Sequence, residues 1–386
     1  MLEPCGSFTI SCPKIFDGEQ FLQNHCIAIS DGDIAGVYPQ SERPADLPHQ
    51  NLENGILIPG LVDLQVNGGG DALFHNSPDV PTLQTILEAH RSVGTTSILP
   101  TLLSGDRELR AAATAAVRTI SQSEPGILGI HIEGPYFAPE KNGAHLADAL
   151  ETPTDADIDT LCNTGCRTLI TLAPEVISAD HIRQLAQAGV IVAAGHTDAS
   201  FEDIHAAASA GLCGVTHLYN AMSPAMGRAP GTVGAALSDN NLWASIIADG
   251  HHVHPASIRL ACRAKPAGKL VLVSDAMATT GGNKGDFMLY GERITLTNGK
   301  LVNAAGKLAG SAISLIEAVR FVHETVGEPL SEALRMASLY PAEILGLGST
   351  LGRFAPGYRA DAVHVSEDLN VLQVWAKGAT FNTPHY

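Results

Sequence analysis

Four residues carry the types that hold a cation and move a proton, and each stands at the end of a short apolar run: Glu133, His196, His217 and Asp275. Their settings are His131-Ile132-Glu133-Gly134-Pro135, Ala194-Gly195-His196, Thr216-His217-Leu218-Tyr219-Asn220 and Ser274-Asp275-Ala276. Two imidazoles and one carboxylate form a ligand set for a catalytic divalent ion, Zn²⁺ first among them, with a fourth position left for water. An ion held this way lowers the pKa of water to about 7 and polarises a carbonyl. Asp275 opposite would accept the water's proton and return it to a leaving nitrogen. Any one of these residues alone would read as a strand cap. Four at successive strand ends point to one centre for metal-assisted hydrolysis.

Such a centre needs a frame that turns many strand ends towards one point. From Ile58 onward, short apolar runs alternate with Ala- and Leu-rich helical stretches, the pattern of a parallel βα repeat. Strands are expected at 61–66, 96–100, 127–132, 168–172, 190–194, 214–216, 243–247 and 270–274. Helices are clearest at 82–92, 106–121, 179–188, 201–210 and 255–264. Eight strands close a TIM-like (β/α)₈ barrel, whose active sites collect at the C-terminal strand ends. Gln65 and Asn67 follow the first strand and Asp249 the seventh. A hairpin turning at Asn298-Gly299 precedes the last barrel helix at 311–325, and a further helix follows at 331–337.

Strand-like segments flank this region, at 7–10, 21–30 and 34–37 before it and at 362–365 and 371–375 after it. Neither end has enough apolar surface to fold alone. The expectation is an α/β chain: a catalytic barrel over 58–351 and a small β-sandwich built from 1–57 and 352–386.

Composition limits the partners. Of 386 residues, 45% are hydrophobic and 16% charged, which is core-rich and not disordered. A net charge of −17 argues against nucleic acid and anionic membranes. It does not exclude an anionic substrate, because a local cationic pocket overrides a distant field beyond a Debye length of roughly 10 Å. The seven cysteines, at 5, 12, 26, 162, 166, 213 and 262, are scattered without a CxxC pair and read as free thiols of a reducing cytosol. With no long apolar run and no leader-like start, the expected location is cytoplasmic.

Further motifs carry a resemblance. They are Pro59-Gly60-Leu61-Val62-Asp63-Leu64-Gln65-Val66-Asn67-Gly68, Lys141-Asn142-Gly143-Ala144-His145, Leu172-Ala173-Pro174-Glu175, His217-Leu218-Tyr219-Asn220-Ala221-Met222, Gly227-Arg228, Asp249-Gly250-His251-His252-Val253 and Leu308-Ala309-Gly310-Ser311. Together with the four settings above, they resemble the N-acetylglucosamine-6-phosphate deacetylase branch of the amidohydrolase superfamily across essentially the whole barrel. Many amidohydrolases carry His-x-His after the first strand and a modified Lys after the fourth to bridge two metals. Here Gln65-Val66-Asn67 stands in the first position and 168–175 contains no Lys, so one divalent ion is expected.

The resemblance implies that Glu133, His196 and His217 bind the ion, that Asp275 is the general base and acid, and that His145 hydrogen-bonds the acetamide carbonyl. It implies phosphate contacts from Arg228 and His252, the latter reaching a neighbouring subunit's site in a homodimer. Ala144, Asn220, Ala221, Asp249 and the turn Ala309-Gly310-Ser311 are implied substrate contacts. His251 departs from the bulky apolar residue expected there and reads as a second phosphate-side imidazole or a solvated side chain. The implied reaction is deacetylation of N-acetylglucosamine 6-phosphate in amino-sugar catabolism or recycling. Alternatives are the galactosamine epimer, a cyclic-amide or acylamino-acid substrate, and an inactive scaffold.

Overall fold

The structure is a computed structural model that describes residues 6–381; Cys5 lies outside the described residues. Eight strands form one parallel sheet in chain order: Leu61–Val66, Thr95–Leu102, Ile130–Glu133, Thr168–Leu172, Ile191–Ala194, Gly214–Val215, Trp243–Ile246 and Leu270–Leu272. All but one of their residues are buried, as a sheet covered on both faces requires. The first and last strands are not joined by a regular ladder. Asn67 N–H instead donates to Ala276 O (2.9 Å) and Asp275 N–H to Gln65 O (3.1 Å), which closes the barrel at its mouth.

The helices start where side chains satisfy their first N–H groups. Asp79, Asp106, Ser178 and Ser200 each accept from the backbone three residues on. Three helices, Asp155–Cys162, Gly231–Ser238 and Leu339–Ile344, have no clear signature in the sequence. The first is acidic and short, and is held by a capping box between Thr154 and Asp157. The second opens Gly-Thr-Val-Gly, a poor helix former, and is held by burial of Val233, Ala235 and Ala236. The last barrel helix starts at Leu315, later than the apolar pattern suggests, because Ser311 is engaged elsewhere: its N–H donates to Asp275 O.

Strands from both chain ends pair into a separate sheet. Ile56–Pro59 runs parallel to Phe8–Phe16 and antiparallel to Ala362–Val365, and so ties the two termini together. This sheet encloses its own core of Ile10, Ile15, Ile27, Ile29, Leu57 and Trp375. The hairpin at Asn298-Gly299 belongs to a three-stranded sheet, Asp286–Leu289, Glu292–Thr297 and Lys300–Val302. Its Leu289, Ile294 and Leu301 pack on Leu73, Leu103 and Met277, which seats it over one side of the barrel mouth.

A candidate metal centre at the barrel mouth

Glu133 ends the third strand, while His196 and His217 follow the fifth and sixth. Their ligand atoms all lie within 4.8 Å of one another, and all three residues are buried. His217 Nε2 is 3.0 Å from Glu133 Oε1 and 3.1 Å from His196 Nε2. His196 Nδ1 lies 2.8 Å from Lys141 O, so that nitrogen carries the proton and the lone pair of Nε2 faces the cluster. Burial keeps His196 below the ordinary imidazole range and therefore neutral. Burial also opposes charge on Glu133, but the facing imidazoles of His196 and His217 outweigh it and hold the carboxyl well below its usual range. Burial pulls His217 down, but the hydrogen bond and charge of Glu133 outweigh it and raise its pKa. A divalent cation would take the place of that proton, and the set of ionised carboxylate and two imidazoles fits one.

The backbone is strained where these side chains project. His196, His217 and Asp275 have φ of 49°, 35° and 52°, a left-handed region that costs an L-residue about 1–3 kcal/mol. Gly143 lets the neighbouring loop close over them: with φ of 61°, a Cβ there would sit 2.8 Å from His196 Cε1.

Two further groups face the cluster. Asp275 Oδ1 accepts from Asn67 Nδ2 (2.7 Å) and Gln65 Nε2 (3.1 Å), and the same Gln65 nitrogen donates to Glu133 Oε1 (2.9 Å). Burial, then the charge of Glu133, pushes Asp275 up to about 7. His145 accepts the Ser104 N–H at Nδ1 (3.2 Å), so its proton sits on Nε2, 3.9 Å from Glu133 Oε2. Burial, then the nearby His196, holds His145 well below its usual range, leaving a neutral N–H donor.

A cavity of about 330 Å³ joins these groups. It brings Ala144, His145, Asn220, Ala221, His252, Asp275 and Gly310 together with the ligand triad. Other expected contacts fall elsewhere. Ala309 is buried in the hairpin core, and Ser311 braces the backbone at Asp275 and Ser274. Asp249 acts through His252, accepting from its Nδ1 at 2.7 Å. That bond holds His252 against its own chain's cavity. His251 is exposed, with its ring against Gly299 of the hairpin turn. Arg228 is exposed in the tight turn Met226–Ala229, outside the cavity. Lys307 and Leu308 line the cavity unannounced, as do Leu103, Ile247 and Met277. Only their places beside the strand-end motifs could have signalled them.

A model of the amidohydrolase family matches residues 56–380. The chain belongs to this family. Amidohydrolases are metal-dependent, and this one is a hydrolase acting on an N-acetyl amide. It is 40% identical over 363 residues to an N-acetylgalactosamine-6-phosphate deacetylase of Shewanella sp. (strain ANA-3), covering 92% of each chain. The crystal structure of N-acetylglucosamine-6-phosphate deacetylase from Pasteurella multocida superposes with a TM-score of 0.94 at 33% identity, over 97% of this chain and 99% of that one. A Mycobacterium smegmatis N-acetylglucosamine-6-phosphate deacetylase variant, solved with N-acetylglucosamine 6-phosphate, gives 0.91 at 30%, over 97% and 99%. Among the described residues, no helix of this amidohydrolase is long and apolar enough to cross a membrane.

Proposed function

We propose that this amidohydrolase removes the acetyl group from N-acetylglucosamine 6-phosphate, giving glucosamine 6-phosphate and acetate. What carries the reading is one arrangement: a half-buried carboxylate, Asp275, and an N–H donor, His145 Nε2, both face the Glu133–His196–His217 cluster in one cavity. The relatives named for this reaction support it.

Glu133, His196 and His217 would hold a single divalent ion, for which Zn²⁺ suits the donor set, and the ion would supply Lewis acidity to the acetamide carbonyl and acidify the attacking water. Asp275 takes the water's proton as the C–O bond forms at the acetamide carbon. His145 Nε2–H donates to the carbonyl oxygen as negative charge develops there. Asp275 then gives its proton to the amine nitrogen as the C–N bond breaks. Gln65 and Asn67, donating to Asp275 Oδ1, aim this carboxylate.

His252, fixed by Asp249, suits a sugar hydroxyl or phosphate oxygen inside the cavity. Arg228 is turned outward beside Met226, which is 63% exposed. Both fit a homodimer in which Arg228 of the partner subunit serves the phosphate. The buried free thiols Cys12 and Cys26 suit a cytoplasmic location.

The galactosamine epimer is a second reading, favoured by the 40% identity to a deacetylase of that name. Acetate release from both 6-phosphates and from unphosphorylated N-acetylglucosamine tests the proposal. Rapid turnover of a phosphorylated epimer is expected, and equal rates without phosphate would overturn the role given to Arg228.

A further inference from the structure

The opposite, N-terminal end of the barrel has its own cleft of about 440 Å³. It lies between the end of helix Arg107–Ile120, the approaches to the third and fourth strands, and the segment leading to Arg359. Arg118, Arg167 and Arg359 line it, and among the described residues no Asp or Glu does. That runs against the balance of the chain, which has 23 Lys and Arg against 40 Asp and Glu.

The three cations are not equally engaged. Arg359 is bound to Asp361, Ser97 and Pro125 O. Arg167 is half-buried and uses one of its five N–H donors, on Leu128 O at 2.9 Å. Arg118 is exposed, and its guanidinium makes no hydrogen bond or ion pair with the described residues. Its stem lies across Gly165, whose hypothetical Cβ would be 3.3 Å from Arg118 Cδ. A favourable helix-dipole position accounts for Arg118 at the end of its helix, but not for Arg167 without a carboxylate. Burial works against the charge of Arg167, so an anion in the cleft would offset both desolvation and the mutual repulsion of the cations.

We infer that this cleft is a second anion site, distinct from the catalytic cavity, that takes a phosphate dianion, free or as a sugar ester. Two guanidinium forks with free paired N–H groups match phosphate oxygens in charge and geometry. Ser121 and Gln122 on the same wall add neutral donors. The N-terminal face of such barrels does not host the chemistry, so occupancy acts on stability or regulation.

The test is calorimetric titration of the metal-loaded full chain with inorganic phosphate and, separately, glucosamine 6-phosphate. The wild type, Arg118→Glu and Arg167→Gln are compared. Each substitution should weaken one class of phosphate site by about tenfold or more, while kcat/KM in phosphate-free buffer stays within about twofold because Arg118 lies on the far face. Tighter binding of the ester than of phosphate assigns the sugar phosphate as occupant; equal binding assigns the dianion alone. Superimposable phosphate isotherms for wild type and Arg118→Glu, whose exposed position leaves folding intact, would overturn the site. Deacetylase assays of the same samples report on the catalytic reading separately.

Discussion

The side-chain nitrogen of Gln65 lies 3.1 Å from Oδ1 of Asp275, and the same nitrogen is 2.9 Å from Oε1 of Glu133. One NH₂ group thus spans the ligand carboxylate and the carboxylate that moves the proton. By sequence alone, Gln65 stands where a ligand to a second metal would be. The structure gives it a positive task, that of orienting the buried Glu133 carboxylate and the half-buried Asp275 carboxylate. Gln65→Leu keeps the bulk and removes the donor. It should lower kcat by about 10–100-fold, the worth of one or two charge-assisted hydrogen bonds, with metal content near one per chain by elemental analysis. A variant with normal kcat would show that Asn67 alone orients Asp275.

Asp275 itself acts first as a base, so its ionised form is the active one. Burial and the charge of Glu133 raise its pKa to about 7, and a bound cation opposes that shift. Activity should therefore rise with pH along an acid limb lying below that value in the metal-loaded enzyme, and fall as pH drops through it. Asp275→Asn should cost about 10²–10⁴-fold in kcat while leaving the ion bound. Retention of the acid limb in the residual activity of Asp275→Asn would assign it to another group.

Much of this centre was legible because each ligand ends an apolar strand, and strand ends are what the alternation of apolar runs locates. The ranges for Leu61–Val66 and Thr168–Leu172 agree to the residue. What stayed hidden depends on loops. Lys307 comes into the cavity only because the inserted three-stranded sheet folds back over the mouth, and no periodicity encodes that. Nor does anything in the sequence announce the bond of His252 to Asp249. Helix Gly231–Ser238 was missed since its burial, not its propensity, makes it a helix.

Lys307 is held at the cavity lip by its backbone, with N–H donating to Asn303 Oδ1 at 2.9 Å and its carbonyl accepting from Asn303 N at 3.0 Å. Lys307 brings a positive charge to a cavity lined otherwise by apolar residues, imidazoles, Asn220 and the carboxylates of Glu133 and Asp275. Lys307→Met should raise KM for the phosphorylated substrate by about 5–20-fold, as loss of a partly exposed charge contact does, with kcat nearly unchanged. Steady-state kinetics on phosphorylated and unphosphorylated substrate separate the effects. An equal KM change for both would assign Lys307 to the sugar ring.

His90 offers a stability test away from the chemistry. It is fully buried, its Nε2 lies 2.9 Å from Gly68 O, and burial pushes its pKa down to about 4. The unfolded chain, with an ordinary imidazole near 6.5, binds this proton more readily than the folded one. Its stability contribution is therefore complete above the unfolded value and is lost as pH falls from there towards 4. Linkage gives about 2 kcal/mol lost between pH 7 and 5 from this one group. Urea unfolding at the two pH values should show that loss in the wild type and a smaller one in His90→Gln, whose amide can still donate to Gly68 O. Equal losses would place the acid sensitivity elsewhere.

Removing the metal should separate the centre's function from the fold's integrity. The protein itself holds the ligands: His196 donates to Lys141 O, the His217 backbone N–H donates to Ser245 Oγ at 2.8 Å, and Glu133 lies within a paired strand. Chelation should therefore abolish deacetylation while far-ultraviolet dichroism stays unchanged. An ion present at about 1,000 times its Kd adds about 4 kcal/mol to stability, so Tm should rise by several degrees when the ion is restored. Glu133→Gln removes the anionic ligand and should show neither the metal-dependent rise nor activity. A full metal-dependent rise in that variant would move the cation away from Glu133, and with it the proposed position of Asp275 opposite the attacked carbon.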